Sequence, residues 1–354
     1  MDKKPPKNNK YKRTVNASAA LICAALMLLI AAAASVGFAE WYSVHVYSLI
    51  TRTVGRFFGA FPFSVSEVCV ILLPVLLIAD LIRCRSRLTA FLSHILLISS
   101  LLFFLYAANC GVNYRRSGFT DREALSEARF TEAQLVEFCE YAVSQIEESE
   151  PAGDEVFHYP GKKELSVSAV SSMHKLSETA PSLEGFFPAP KQLGLLSEAF
   201  SSMGVSGIYS PFTVEANVNG RMPGLEKPFT SCHELSHLRG YMDEGEANYI
   251  GWLACIGSDD PAFRRSGWLI GWTYAGGALR RVDPEAYEKI KARVPEKAAA
   301  ELMANSNYWA SHETGASEIQ DRVNDAYLKA NGLSDGVQSY GMLTVLMLMW
   351  YFDQ

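Results

Sequence analysis

The sequence predicts a mainly α-helical protein, with three N-terminal transmembrane helices and an extracytoplasmic α-rich domain that carries a small β edge. Three observations lead there. Long uncharged apolar runs are confined to the first third of the 354 residues. Two basic segments flank those runs in a way that fixes a topology. The rest of the chain shows helix caps, breakers and helical periodicity, interrupted by one β-rich stretch.

The first span is about 14–39. It has no charged residue before its end and follows a tail with Lys3, Lys4, Lys7, Lys10, Lys12 and Arg13. That tail is expected to stay in the cytoplasm. Gly37-Phe38-Ala39 has the small residues of a signal-peptidase site, but the apolar run is long for a signal peptide and further spans follow, so an uncleaved anchor is expected. The second span is about 60–82, with Glu67 and Asp80 near its ends and Pro74 inside. The third is about 88–111, with only His94 as a possible charge. Residues 40–64 read as an outer interfacial loop in which Trp41, Tyr42, Tyr47, Phe57, Phe58, Phe61 and Phe63 interleave with Arg52 and Arg56. Arg83-Cys84-Arg85-Ser86-Arg87 is a short basic loop, expected on the cytoplasmic side. Both basic segments are cytoplasmic only if the chain crosses three times, which leaves 112–354 outside. The division expected is therefore a membrane anchor at 1–111 and an outer domain at 112–354.

In the outer domain, Phe130-Thr131-Glu132-Ala133-Gln134 predicts a staple, cap and first turn for a helix reaching Glu148. A second helix is expected over 162–179, then a loop over 181–190. Residues 206–219 are the best strand candidate, and an exposed edge there would suit an extended peptide. Pro228-Phe229-Thr230 is expected to open the next helix with Thr230 as its cap, and Gly240 to end it. Further helices are expected over 243–256, 261–282, 284–293, 295–310 and 317–330. The apolar 342–352 is too short to span comfortably and is expected to be buried.

A net charge of -6 argues against nucleic-acid binding. The 7 cysteines show no paired spacing, so neither a disulfide framework nor a zinc–thiolate site is expected. Cys232 abuts a histidine but points to a different helix face, and reads as a small buried side chain.

The most specific feature is His233-Glu234-Leu235-Ser236-His237, an H-E-x-x-H string. On a helix, residues i and i+4 share a face, so both imidazoles reach one metal ion while Glu234 lies about a quarter turn away. Two readings compete for the third ligand. His237 continues to Gly240 and Asp243 in the layout of the metzincins, with Asp243 in place of their third histidine. Alternatively Glu244-Gly245-Glu246-Ala247-Asn248 resembles the glutamate-zincin signature, with Glu244 as ligand and Asn248 bonding a ligand histidine. Glu244 is preferred, because a continuing amphipathic helix gives its carboxylate a rigid base. Its spacing from His237 is shorter than in most glutamate zincins. Glu246 points away from Glu244 and reads as a solvated or helix-N-terminal carboxylate.

Several longer strings recur together: Pro211-Phe212-Thr213, Glu215-Ala216-Asn217, Asn219, Pro228-Phe229-Thr230, the H-E-x-x-H string, Glu244-x-Glu246-Ala247-Asn248, Ser258-Asp259-Asp260-Pro261, Tyr327 to Gly332, and Ser339-Tyr340-Gly341. With the three-span beginning, they resemble a bacterial membrane family catalogued as domain of unknown function 3810, which is similar to zincin peptidases. The resemblance implies a zincin-like outer domain on a plasma-membrane anchor. The motif points to Zn2+ at His233, His237 and Glu244, with Glu234 as general base in peptide hydrolysis. Tyr340 is the first candidate for stabilising the oxyanion, ahead of His312 and Tyr308. The expected partners are the lipid bilayer and a peptide or protein substrate, and His and carboxylate ligands suit zinc. A different class remains open: a non-catalytic zincin-like sensor or receptor for peptides or cell-wall fragments. A metal that only staples helices is a third possibility, though structural zinc normally takes four protein ligands.

Overall fold

A computed structural model describes residues 8–120, 130–153, 155–331 and 341–353. The chain is mainly helical and divides into two compact units. The first runs through Ser117 and takes in Ser210–Val214; the second comprises the rest.

In the first unit, α1 (Asn8–Ala34), α2 (Val65–Arg83) and α3 (Leu88–Tyr106) form the apolar helices. Three stretches, Tyr11–Ala34, Val65–Arg83 and Leu88–Arg115, are long and apolar enough to cross a membrane. Two expected boundaries shift. The first span ends at Ala34 rather than 39, because Ser35 turns extended and its hydroxyl accepts from Phe38 N to start a new helix, Val36–Trp41. The second starts at Val65 rather than 60, because Ser64 caps it through Glu67 N. The expected outer loop is also corrected. Its first twenty residues are helical, alternating α and π turns through Gly59, since no proline interrupts the chain before Pro62. Trp41, Phe57, Phe61 and Phe63 are exposed along and just beyond it. The hydroxyl of Ser66 bonds that of Thr213 at 2.5 Å, and Asn109 donates to Pro211 O at 2.7 Å. These bonds explain why Ser210–Val214 groups with the apolar helices. Val214 is fully buried at φ 54°, a left-handed conformation that a β-branched residue rarely adopts.

The second unit is a helical body with a three-stranded sheet. Helix α4 (Glu132–Glu148) starts with the expected Thr131–Gln134 capping box, and α5 is Lys162–Thr179. Strands β1 (Lys191–Gln192), β2 (Gly207–Ser210) and β3 (Glu215–Val218) lie in the order β1-β3-β2, with β1 parallel to β3. The single strand expected over 206–219 is thus two, separated by the turn at 211–214. Lys191 and Glu215, both buried, pair at 3.0 Å between β1 and β3. After the short α6 (Ser197–Ser202) come α7 (Glu226–Leu238), α8 (Glu244–Ile256), α9 (Pro261–Val282), α10 (Pro284–Lys291), α11 (Glu296–His312), α12 (Gly315–Ala330) and α13 (Met342–Phe352). Helix α9 opens on an Asp260 cap with Pro261 at its first position, where a missing N–H costs nothing.

The core of this unit is aromatic. Trp252 of α8 meets Trp268 of α9 and Trp350 of α13 edge-on, with centroids 5.7 and 5.0 Å apart, and Phe138 of α4 closes the cluster. Leu343, Leu346, Met347 and Leu348 are buried, so α13 packs into the body as its short apolar run predicts. The guanidinium of Arg265 is fully buried and bridges Glu150, Glu301 and the backbone of Ser149.

Candidate metal centre

Helix α7 carries the H-E-x-x-H string. It begins at Glu226, one turn earlier than expected, so Thr230 is an interior residue rather than the cap. Pro228 is tolerated because it stands within the first turn, where backbone N–H groups have no helical partner. The helix stops where expected. Gly240 takes φ 87°, its N–H bonds His237 O, and Tyr241 N–H returns to Ser236 O. This stop sets the chain up to reverse into α8.

Asp243 caps α8, its Oδ1 accepting from Gly245 N at 2.9 Å and Glu246 N at 3.2 Å. That use engages the Asp243 carboxylate in the cap of its own helix. Capping holds Asp243 at the helix start, while Glu244, the first helical residue, turns its carboxylate to the histidines. Its oxygens stand 3.3 Å from His233 Nε2 and 3.8 Å from His237 Nε2, and the two Nε2 atoms are 3.1 Å apart. One ligand atom from each of the three residues falls within 4.8 Å of the others.

The donors are pre-oriented. His237 Nδ1 donates to Tyr241 O at 2.7 Å, which leaves its Nε2 lone pair free. His233 Nδ1 is buried with no hydrogen-bond partner among the described residues, as is the side-chain nitrogen of Asn248. Two imidazole lone pairs and a carboxylate converging on one point require a cation or a proton between them. Burial works against a charge on His233, but the bond and charge of Glu244 outweigh it and raise its pKa. His237 goes the other way: burial pushes it down to about 4, against the pull of Glu244. The pair therefore holds at most one proton. Burial also opposes charge on Glu244, yet His237 and His233 keep that carboxylate below its usual range. Two imidazoles and one ionised carboxylate form a donor set that fits a divalent transition ion.

Glu234 is buried beside this group. Burial pushes its pKa up to about 8, with the charge of His233 opposing and that of Glu244 reinforcing. Its Oε2 has no hydrogen-bond partner among the described residues. On its other side lies Gly207 of β2, where a Cβ would meet Oε1 at 2.5 Å. The strand thus passes directly over the carboxylate only because residue 207 has no side chain. Glu246, expected to be solvated or helix-N-terminal, stands in the first turn of α8, where it is buried and accepts from the amide and hydroxyl of Thr120 at 3.3 Å. It holds the 118–120 segment down, and Phe119 packs on Tyr241 and Tyr249.

Tyr308 and His312 are not brought to this group. Tyr308 bonds Ser201, and His312 bonds Tyr308 O and lies 3.6 Å from Glu198. Tyr340 lies outside the described residues. The structure adds two side chains that sequence reasoning missed. Tyr274 of α9 has its hydroxyl pushed up to about 12, by burial first and then by the charges of Glu226 and Glu244. Glu226, seven residues before His233, receives bonds from Asn305 and Trp309. Helical spacing makes Glu226 legible in retrospect; nothing in the sequence links Tyr274 to the string.

Neither a curated protein nor a solved structure matches the chain. A family described as "Protein of unknown function (DUF3810)" matches residues 42–348, most of the chain, and the protein belongs to that family.

Proposed function

We propose that the protein is a membrane-anchored peptidase in which His233, His237 and Glu244 hold a zinc ion and Glu234 is the general base. The observation that carries this reading is the buried Glu234 carboxylate, with one oxygen unpartnered beside the three ligand groups. A helix-stapling metal has no need of such a group, and an uncompensated buried carboxylate is costly to keep. When bound, the ion supplies a Lewis acid and an acidified water.

Each residue then has a defined task. Tyr241 O holds the His237 imidazole with Nε2 forward. Glu234 receives the proton of the attacking water at Oε2 and delivers it to the leaving amine nitrogen. Strand β2 is an edge of the sheet, and its open side suits an extended peptide laid beside Glu234. The basic tail and the Arg83–Arg87 loop favour a cytoplasmic N-terminus and an extracytoplasmic site.

The test is metal analysis of the full chain in detergent, paired with peptide-library cleavage by wild type and Glu234→Gln. Both proteins are expected to bind one zinc, with hydrolysis confined to wild type. A zinc-loaded wild type that cleaves no peptide, or a Glu234→Gln variant of undiminished activity, rules the reading out.

A further inference from the structure

Glu226 is an unusual carboxylate. It lies seven residues before His233 and eleven before His237, so on α7 the three fall within about 20° of one line along the helix. Seven residues rise about 10 Å, which sets Glu226 two turns from the metal ligands along the same stripe. Its Oε1 accepts from Asn305 Nδ2 at 2.5 Å and Trp309 Nε1 at 3.0 Å. No cationic group pairs with it among the described residues; its neighbour Lys227 donates instead to Gly220 O. Asn305 Oδ1, next to it, is a second buried acceptor with no donor among the described residues. Tyr274 feels the charges of both Glu226 and Glu244, which ties Glu226 to the surroundings of the metal ligands.

Glu226 is partly buried, and burial raises its pKa against the bonds from Asn305 and Trp309. Two neutral donors fix one oxygen of the carboxylate, and beside it the amide oxygen of Asn305 lacks a donor among the described residues. The group that completes such a site is a cation with several N–H donors. We propose that Glu226 and Asn305 form a substrate subsite for an ammonium or guanidinium group. This rests on the peptidase reading for its substrate class. An extended peptide advances about 3.3 Å per residue, so about 10 Å separates the scissile bond from a terminal amine three residues away. A Lys or Arg side chain nearer that bond covers much of the distance with its own stem. The shared chemistry is a protonated nitrogen, and the two sources are separable.

The experiment uses zinc-loaded full-length protein in detergent and matched peptides. One pair differs in a free or acetylated terminus, the other in lysine or norleucine. Cleavage is read on wild type and binding on Glu234→Gln, each with and without Glu226→Gln. A favoured cation is expected to raise kcat/KM and tighten Kd by at least about tenfold, with the preference collapsing in Glu226→Gln. Whichever pair shows the effect identifies the source. Glutamine keeps an acceptor for Asn305 and Trp309; if it fails to fold, Glu226→Asp, expected to keep part of the preference, replaces it. Hydrolysis without any charge preference overturns the subsite and leaves the peptidase reading standing. Binding that prefers cations through Glu226, without hydrolysis, does the reverse. A preference that survives both substitutions at Glu226 also overturns the subsite.

Discussion

Gly251 of α8 lies against the backbone of His233: a Cβ at Gly251 would sit 3.0 Å from His233 N and 3.2 Å from its Cα. The two ligand-bearing helices therefore touch main chain to main chain at the first histidine. Neither atom belongs to a flexible side chain that could swing aside. Gly251→Ala should push α8 away from α7 and carry Glu244 with it. Overpacking of this kind costs about 1–3 kcal/mol. The expected outcome is a lower melting temperature and zinc affinity reduced by about tenfold or more, measured by chelator competition. Wild-type zinc affinity in Gly251→Ala would show that the close approach does not set the ligand geometry.

Asp243 and Glu244 are adjacent but serve different ends. Asp243→Ala removes the cap of α8 and should cost about 1 kcal/mol of stability, with zinc still bound. Glu244→Ala removes the ionised member of the ligand set and should abolish tight zinc binding at a smaller cost to the metal-free fold. Zinc titration and thermal melts of the two variants separate these roles. Loss of zinc in Asp243→Ala, with zinc retained in Glu244→Ala, would reverse the assignment.

The parts of the site that sequence reveals are those fixed by local geometry. The i, i+4 histidines, the stop at Gly240, the Thr131–Gln134 box and the three apolar helices each depend on residues within a turn or two, and each stands where periodicity puts it. Asp243 could not be separated from Glu244 by spacing, because both fall at a helix start and only the cap bonds tell them apart. The covering of Glu246 by Thr120 and the approach of Gly251 to His233 depend on how distant segments pack. The aromatic and arginine residues of 40–64 read as an interfacial loop, yet no proline stands before Pro62 to stop the helical turns that run through Gly59. The two residues of β1 are too few to carry a β pattern at all.

Arg265 supplies a stability test away from the metal group. Its guanidinium is fully buried and joins α9 to Glu301 of α11 and to Ser149 and Glu150 after α4. It also lies 4.9 Å from the centroid of the Phe157 ring. Arg265→Met fills the volume but leaves two carboxylates without their cation. The glutamates are partly exposed, so the loss should fall near the low end for a broken buried pair, about 3 kcal/mol. Arg265→Lys keeps the charge but loses the fork that reaches three partners, and should be intermediate. Thermal melts in detergent check this order; a methionine variant as stable as wild type would contradict it.

Tyr274 gives the sharpest test of the chemistry. Its hydroxyl keeps its proton at neutral pH, because burial and the charges of Glu226 and Glu244 push its pKa up to about 12. It is therefore fixed as a hydrogen-bond donor under working conditions. If it donates to oxygen charge that develops as a carbonyl is attacked, Tyr274→Phe should lower kcat by about a hundredfold. KM and zinc content should change little, since the bond strengthens only as that charge appears. A Phe variant that loses zinc would assign Tyr274 to holding the ligand set instead. One with wild-type kcat would leave the oxyanion to another donor.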